Sequence, residues 1–222
     1  MPRLARFVVP RHPHHVVQRG VRSIDIFDGD ADREAYLAFM REECARHGCR
    51  ALAWCLMTNH VHLAVGWAHR RYTRARNFRE GVRGRLFQGR FHSYVLDERH
   101  LLAAARYVEL NPVAAGIVDT PEAYAWSSAR AHLDGRLVDA LVADDDRDLL
   151  GLMRGSRAWR RFLADGVAEI ERKRIEERMS SGLPLGTAEF VKGLEEETGR
   201  VLVARKGGWP KGRRRKKEGA KA

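Results

Sequence analysis

The sequence predicts an α+β fold in which helices cover an antiparallel sheet. Short apolar runs with strand-like patterns alternate with longer helical segments, and their order along the chain is β-α-β-β-α-β-α. The 222 residues, of which 44% are hydrophobic, suffice for one domain of ordinary size with appendages. No apolar run approaches the ~20 residues of a membrane span, and none resembles a signal peptide, so we expect a cytoplasmic protein.

The first four elements follow from local patterns. Residues 14–19 (HHVVQR) form a short run with β-branched centre, typical of a strand, and residues 32–47 carry apolar side chains in a helical frame that ends at Gly48. Residues 51–57 and 60–65 are two further apolar runs with only two residues between them. We expect these two runs to pair as antiparallel strands with a tight connection.

The next elements complete the sheet. Residues 67–76 look helical, and residues 91–96 alternate like a strand. Asp97 is the expected N-cap of a strong helix over residues 98–110, which Pro112 and Gly116 are expected to close. This order packs most simply as a ferredoxin-like antiparallel sheet with the helices on one face.

The rest of the chain predicts a helical extension and a tail. Residues 119–150 look like a connecting region, residues 157–178 like one amphipathic helix, and residues 187–198 like a short helix ended by Gly199. We therefore divide the chain into a domain at 1–135, a helical C-terminal extension at 136–204 and a basic, disordered tail at 205–222.

Positive charge is concentrated in two blocks. The net charge is +12, of which residues 70–90 contribute +7 and the tail from 205 to 222 contributes +8, so the remainder is slightly acidic. Two such blocks indicate a polyanionic partner, with nucleic acid favoured over a membrane surface. The three cysteines, Cys44, Cys49 and Cys55, have neither the spacing of a zinc site nor the even number of a disulfide framework.

Four residues have the chemistry of a metal-assisted nucleophilic site. His60 and His62 lie two apart on a predicted strand, so their imidazoles point to the same side and can share one ion. Tyr107 and Asn111 lie four apart on a predicted helix and therefore share a face, where a tyrosine nucleophile and an amide ligand for Mg²⁺ or Mn²⁺ would sit together. Each residue also has an ordinary structural explanation. The two histidines could form the polar face of an edge strand, Tyr107 could be a half-buried aromatic residue, and Asn111 could be a helix C-cap before proline.

Three segments in order resemble one family. CLMTNHVHL (55–63), RLFQGRFHSYVLD (85–97) and ARYVELNPVAAGIV (105–118) are similar to the REP-associated tyrosine transposases, a branch of the single-tyrosine HUH transposases. HHVVQRG (14–20) and YAWSSARAHLDG (124–135) extend the resemblance over residues 14–135, and GLPLGTAEFVKGLEE (182–196) is a looser match. The resemblance implies the HUH endonuclease type of α+β fold. Relative to the family, the segment after Leu63 is shortened, which we expect to alter the path of DNA.

The resemblance also implies roles for individual residues. His60, His62 and Asn111 would hold Mg²⁺ or Mn²⁺, and Tyr107 would attack single-stranded DNA at a hairpin, leaving a 5′-phosphotyrosine link and a free 3′-OH that later rejoin. It implies a monomer acting at the bacterial nucleoid. Our candidates for DNA contact are polar and basic residues before, between and after these motifs: Gln18, Arg19, Arg70, Arg71, Arg85, Gln88, Arg90, Lys211, Arg213 and Arg214.

Two other functions stay open at this point. The chain could be a hairpin nucleic-acid-binding protein whose catalytic activity has decayed, since the two basic blocks alone would give affinity. It could also be a structural zinc protein, although the cysteine spacing argues against this. The occupied histidine, tyrosine and asparagine positions favour the metal-dependent endonuclease and transposase.

Overall fold

The centre of the fold is a four-stranded antiparallel sheet. The computed structural model describes residues 7–64, 87–88, 91–143 and 155–202. The strands stand in the order β2-β3-β1-β4, and every neighbouring pair is antiparallel. They are β1 (His14–Arg19), β2 (Trp54–Leu56), β3 (His60–Leu63) and β4 (His92–Val95). The predicted α+β class with a ferredoxin-like sheet is confirmed, whereas the helix predicted over residues 67–76 lies outside the described residues.

Helices surround this sheet in the described part of the chain. Asp97 caps the helix after β4, because its Oδ1 accepts a hydrogen bond of 2.8 Å from the N–H of His100. None of the described helices is long and apolar enough to span a membrane. The helices are α1 (Asp30–His47), α2 (Glu98–Ala114), α3 (Ala129–Leu133), α4 (Ser156–Ala164), α5 (Glu169–Ser181) and α6 (Ala188–Thr198).

Helices pack on both faces of the sheet, whereas the sequence led us to expect them on one. Along β2, Trp54 and Leu56 pack with α1, while Cys55 between them packs with α2 on the other face, and all three are buried. A strand that is apolar on both sides needs a cover on both sides, which a one-sided layer cannot supply. We refer to the two sides as the α1 face and the α2 face.

Two helix boundaries differ from the sequence-based expectation. Pro112 lies inside α2, which continues to Ala114; a proline removes one helical hydrogen bond, but its ring is buried here and the helix ends only before Gly116, at φ 67°. The single helix expected over residues 157–178 is two helices, because Gly166 adopts φ 66° between α4 and α5.

The C-terminal helices pack directly on the sheet and on α2. Trp159 of α4 and Ile175 of α5 belong to the core on the α2 face, whereas Leu194 of α6 packs with Val9 and Val95 on the other side of β4. Residues 119–150, which the sequence led us to expect as a connecting region, contain α3, and α3 is buried against α2. The division of the chain at residues 135 and 204 stays a prediction.

Candidate active site

The two histidines of β3 point together toward α2. His60 and His62 are separated by one residue on the strand, so both side chains lie on the α2 face, and their ring centroids are 4.9 Å apart. His62 is 2% exposed, while His60 is half-buried at the end of the strand. In the sheet, His60 pairs with Arg19 and His62 pairs with Val17 of β1. Strand geometry therefore places Arg19 beside the histidine pair.

Helix α2 brings the tyrosine and the asparagine to the same place. The side-chain Nδ2 of Asn111 lies 3.3 Å from Nε2 of His62. One helical turn earlier, the ring of Tyr107 lies 5.6 Å from the ring of His62, centroid to centroid. Asn111 is inside the helix, so its alternative as a C-cap is wrong. The four residues that the sequence singled out thus meet in the structure, although they come from two elements more than forty residues apart in the chain.

Three further residues hold the histidines, and the sequence did not single them out. Nδ1 of His15 is 2.6 Å from the hydroxyl of Tyr94, and Nε2 of His15 is 3.1 Å from Nδ1 of His62. Nδ1 of His60 is 2.6 Å from Oδ1 of Asn59. One sequence signal for His15 existed: it is four residues before Arg19 on the same strand and therefore on the same face.

Burial keeps the imidazoles of this site neutral. Desolvation lowers the pKa of His15 to about 3, and lowers that of His60 to about 4, with Arg19 adding to the effect at His60. Burial also places the pKa of His62 well below its usual value, with smaller effects from His15 and His60. A neutral imidazole is the form that binds a metal ion, so no proton has to be displaced from these rings at neutral pH.

The phenol of Tyr107 is not activated by its surroundings. Burial raises its pKa above the usual value, and the negative charge of Glu176 raises it further. Arg172 and Arg19, together with a hydrogen bond from Asn111, act in the opposite direction. Glu176 and Arg172 belong to α5, so the C-terminal extension contributes charges to the surroundings of this residue. Tyr107 is therefore a protonated phenol at neutral pH.

Residues of this site suit a divalent ion with nitrogen and oxygen ligands. Nδ1 of each histidine is already engaged, by Asn59 and by His15 respectively, which leaves Nε2 of both rings for an ion. Asn111 lies against Nε2 of His62, and rotation of its amide turns the oxygen to the same point. No group of three His, Cys, Asp or Glu side chains in the described ranges is placed to hold a metal ion, and the amide oxygen of Asn111 would be a third ligand beside the two imidazoles. This donor set fits Mn²⁺ or Mg²⁺ completed by water and phosphate oxygens.

The predicted DNA contacts divide into three groups. Arg19 is exposed beside the histidines, and its carbonyl accepts a 2.8 Å hydrogen bond from the N–H of Gln88, which is also exposed. Gln18 is 3% exposed and lies on the α1 face with Val61, away from the histidines. The others lie outside the described residues: Arg70, Arg71, Arg85, Arg90, Lys211, Arg213 and Arg214. The shortened segment after Leu63 is also largely outside them.

Metal-free protein is expected to lose stability as the pH falls from 7.5 to 5. The folded-state pKa of His15, about 3, is below its ordinary value of 6.5, so between these values only the unfolded chain takes up the proton. At pH 5 this costs about 2 kcal/mol of the free energy of unfolding for this imidazole alone. Urea unfolding at both pH values measures the loss, which should be smaller in His15→Gln. Equal losses in the two proteins would contradict the assignment.

One family profile matches the part of the chain that contains the two histidines. The sequence profile of the family described as "Transposase IS200 like" matches residues 8–72, which include β1, α1, β2 and β3 with both histidines. A search among curated proteins finds no significant match.

One solved structure has a similar fold. It is described as the structure of the REP-associated tyrosine transposase bound to a REP hairpin, and the match has a TM-score of 0.50 at 14% sequence identity. It covers 64% of this chain and 92% of that chain. The chain thus matches the IS200-like transposase profile over residues 8–72, and the fold expected from the resemblance to the REP-associated tyrosine transposases is confirmed.

Proposed function

We propose that this protein is a metal-dependent DNA transposase that nicks and rejoins single-stranded DNA at a hairpin. The observation that carries the proposal is the meeting of two neutral, inward-facing imidazoles, His60 and His62, with Asn111 and Tyr107 on one side of the sheet. A nucleophile beside a site for a divalent ion is the arrangement that phosphodiester chemistry requires. The match to the IS200-like transposases supports this reading of the geometry.

The chemistry assigned to the protein side chains is a transesterification. The hydroxyl oxygen of Tyr107 attacks the phosphorus of a phosphodiester and loses its proton as the new P–O bond forms. The bond between phosphorus and the 3′ oxygen breaks, and that oxygen leaves with a proton as a 3′-OH. The product is a 5′-phosphotyrosine, and attack of a 3′-OH on it restores the phosphodiester and the free phenol. A divalent ion held by His60, His62 and Asn111 would polarise the scissile phosphate.

Hairpin DNA is the substrate we assign. The solved structure with a similar fold is described as bound to a REP hairpin, and the net charge of +12 on this chain suits a polyanion. Arg19 and Gln88 form an exposed polar edge next to the histidines, where a DNA strand would have to pass to reach Tyr107. We expect Arg19 to hold a phosphate near the cleavage point, because its charge already acts on His60 and Tyr107.

A hairpin-cleavage assay tests the proposal. Palindromic single-stranded oligonucleotides with 5′ and 3′ flanks, drawn from the repeats of the host genome, are incubated with the protein and Mn²⁺ or Mg²⁺. We expect a covalent protein–DNA band on a denaturing gel, its loss with EDTA, and its loss in His60→Ala and His62→Ala, since both remove a ligand of the ion. His47→Ala, at the exposed end of α1, is the matched control and should behave as wild type.

The result also separates the two functions that the sequence left open. Hairpin binding without a covalent band, under any divalent ion and at any oligonucleotide tested, would overturn the nuclease and leave the hairpin-binding protein. Retention of the band in His62→Ala with EDTA present would instead remove the metal from the mechanism.

A further inference from the structure

Behind His62 lies a row of three buried groups that the proposed chemistry does not use directly. Tyr94, His15 and His62 come from β4, β1 and β3 and are 0%, 1% and 2% exposed. The hydroxyl of Tyr94 is 2.6 Å from Nδ1 of His15, and Nε2 of His15 is 3.1 Å from Nδ1 of His62. The row ends at Nε2 of His62, 3.3 Å from the amide of Asn111. Each link has hydrogen-bond length, and each lies away from water.

The protons in this row can be arranged in only two ways. A neutral imidazole carries one N–H, so a hydrogen bond at each ring nitrogen makes one nitrogen the donor and the other the acceptor. In one arrangement Tyr94 donates to His15, His15 donates to His62, and Nε2 of His62 carries the proton. In the other, Nδ1 of His62 donates to His15, His15 donates to the oxygen of Tyr94, and Nε2 of His62 is bare. The second arrangement is the one that the structure favours, because Nδ2 of Asn111 can only donate and it lies 3.3 Å from Nε2 of His62.

His60 has no such choice. The Nδ2 group of Asn59 donates to the carbonyl of Ser23 at 3.4 Å, which turns Oδ1 of Asn59 toward His60. An amide oxygen only accepts, so Nδ1 of His60 must donate across the 2.6 Å contact. Nε2 of His60 is therefore a bare nitrogen in the described structure, and Asn111, whose side chain also hydrogen-bonds to His60, lies between the two histidines.

We propose that Tyr94 and His15 are positioning residues that hold His62 in the tautomer whose Nε2 is bare and therefore able to bind a divalent ion. An ion needs the bare Nε2, and this requires His15 to accept from His62 and Tyr94 to accept from His15. This inference rests on the proposed function, because it takes the ion to bind at His62. Groups that hold the far nitrogen of a ligating histidine fix its orientation and tautomer, and they strongly affect metal affinity.

Tyr94→Phe isolates the role of the row with little change in volume. When Nε2 of His62 is bare, the substitution leaves the Nδ1–H of His15 buried without an acceptor. When Nε2 of His62 carries the proton, only the lone pair on Nδ1 of His15 loses its donor, which costs less. We expect the affinity for Mn²⁺ to fall by roughly 10- to 100-fold. His15→Leu should do the same, and His15→Gln should recover much of the loss, because its amide oxygen can accept from Nδ1 of His62.

The experiment measures Mn²⁺ affinity by calorimetry and by electron paramagnetic resonance on the full chain without DNA. His47→Ala is again the control for loss of an ordinary histidine, and thermal melts verify that each variant folds. Nitrogen-15 spectra of the imidazoles with Mg²⁺ provide a second measurement: in wild type, ion binding should leave the proton of His62 on Nδ1. If His15→Leu fails to fold, Tyr94→Phe and the spectra still decide the question.

The outcomes separate this inference from the proposed function. A wild-type affinity that His62→Ala does not lower would overturn both, since the ion would not be at these histidines. An affinity that depends on His62 but is within twofold of wild type in Tyr94→Phe and in a folded His15→Leu would overturn the inference alone. A graded loss with recovery in His15→Gln supports it.

Discussion

Tyr107→Phe is expected to abolish the covalent protein–DNA product and leave hairpin binding unchanged. The substitution removes one oxygen from a half-buried ring and keeps the ring that packs near His62 and His15. Among the described residues, the other phenol hydroxyl of this cluster is that of Tyr94, which is fully buried and engaged with Nδ1 of His15. The denaturing gel should show no adduct, and a gel-shift titration should give the wild-type dissociation constant.

Tyr124→Phe is the matched control for this experiment. Tyr124 is buried, and its hydroxyl donates a 2.7 Å hydrogen bond to the carbonyl of Leu56, so its loss should lower the free energy of unfolding by about 1 kcal/mol. The covalent product should still form. An adduct in Tyr107→Phe, or its loss in a folded Tyr124→Phe, would move the nucleophile away from Tyr107.

The environment of Tyr107 predicts which group, the phenol or the phosphate, is activated in the proposed reaction. Burial and Glu176 raise the pKa of the phenol, so in the proposed reaction the barrier is not lowered by ionising the nucleophile in advance. Under the proposed mechanism the activation acts on the phosphate instead, through a divalent ion and through the positive charges of Arg19 and Arg172 near Tyr107. The dependence on the ion should therefore be strong at neutral pH.

Much of the site was predictable from sequence because its geometry is local. The two-residue period of a strand puts His60 and His62 on one side, and the helical turn puts Tyr107 and Asn111 on one side. The run of residues 14–19 coincides with β1, and Thr187 and Gly199 bound α6 as expected, since capping is also local. The meeting of β3 with α2 was supplied by resemblance to a family, not by these patterns.

What sequence did not predict depends on contacts between distant segments. His15 meets His62 across 47 positions, and strand alternation gives the face on which His15 lies but not the residue that it contacts. The expectation of helices on one face failed because it came from element order, whereas the burial of alternate residues in β2 on opposite sides required two covers. Glu109 is the sharpest example: on a helix rich in alanine it looks like a solvent-facing residue, yet it is 0% exposed.

The buried carboxylate of Glu109 ties α2 to α3 and α4. Its Oε1 accepts hydrogen bonds of 2.5 Å from the hydroxyl of Ser128 and from Nδ1 of His132, and its Oε2 accepts one of 2.7 Å from the indole of Trp159. A buried carboxylate is tolerated only when its oxygens are satisfied in this way. Because Glu109 is two residues after Tyr107, it projects from the opposite side of α2, and this cluster anchors the helix that carries the proposed nucleophile.

Glu109→Ala is expected to lower the free energy of unfolding by about 3–5 kcal/mol, because it leaves three donors buried without their acceptor and opens a cavity. Glu109→Gln keeps the volume and one acceptor oxygen, so its loss should be smaller, about 1–3 kcal/mol. Urea unfolding followed by tryptophan fluorescence measures both, since Trp159 is itself one of the partners. Glu98→Ala, at the exposed start of the same helix, should change stability by no more than about 1 kcal/mol.

The same variants test whether the anchoring of α2 matters for the proposed chemistry. Glu109 does not touch His60, His62 or Asn111, so in Glu109→Gln the folded protein should bind Mn²⁺ as wild type does. Its rate of adduct formation should fall only if the carboxylate cluster sets the position of Tyr107, since a displacement of about 1 Å at a nucleophile costs around 100-fold in rate. A loss in stability below about 1 kcal/mol in Glu109→Ala would show that α2 is held by apolar packing alone.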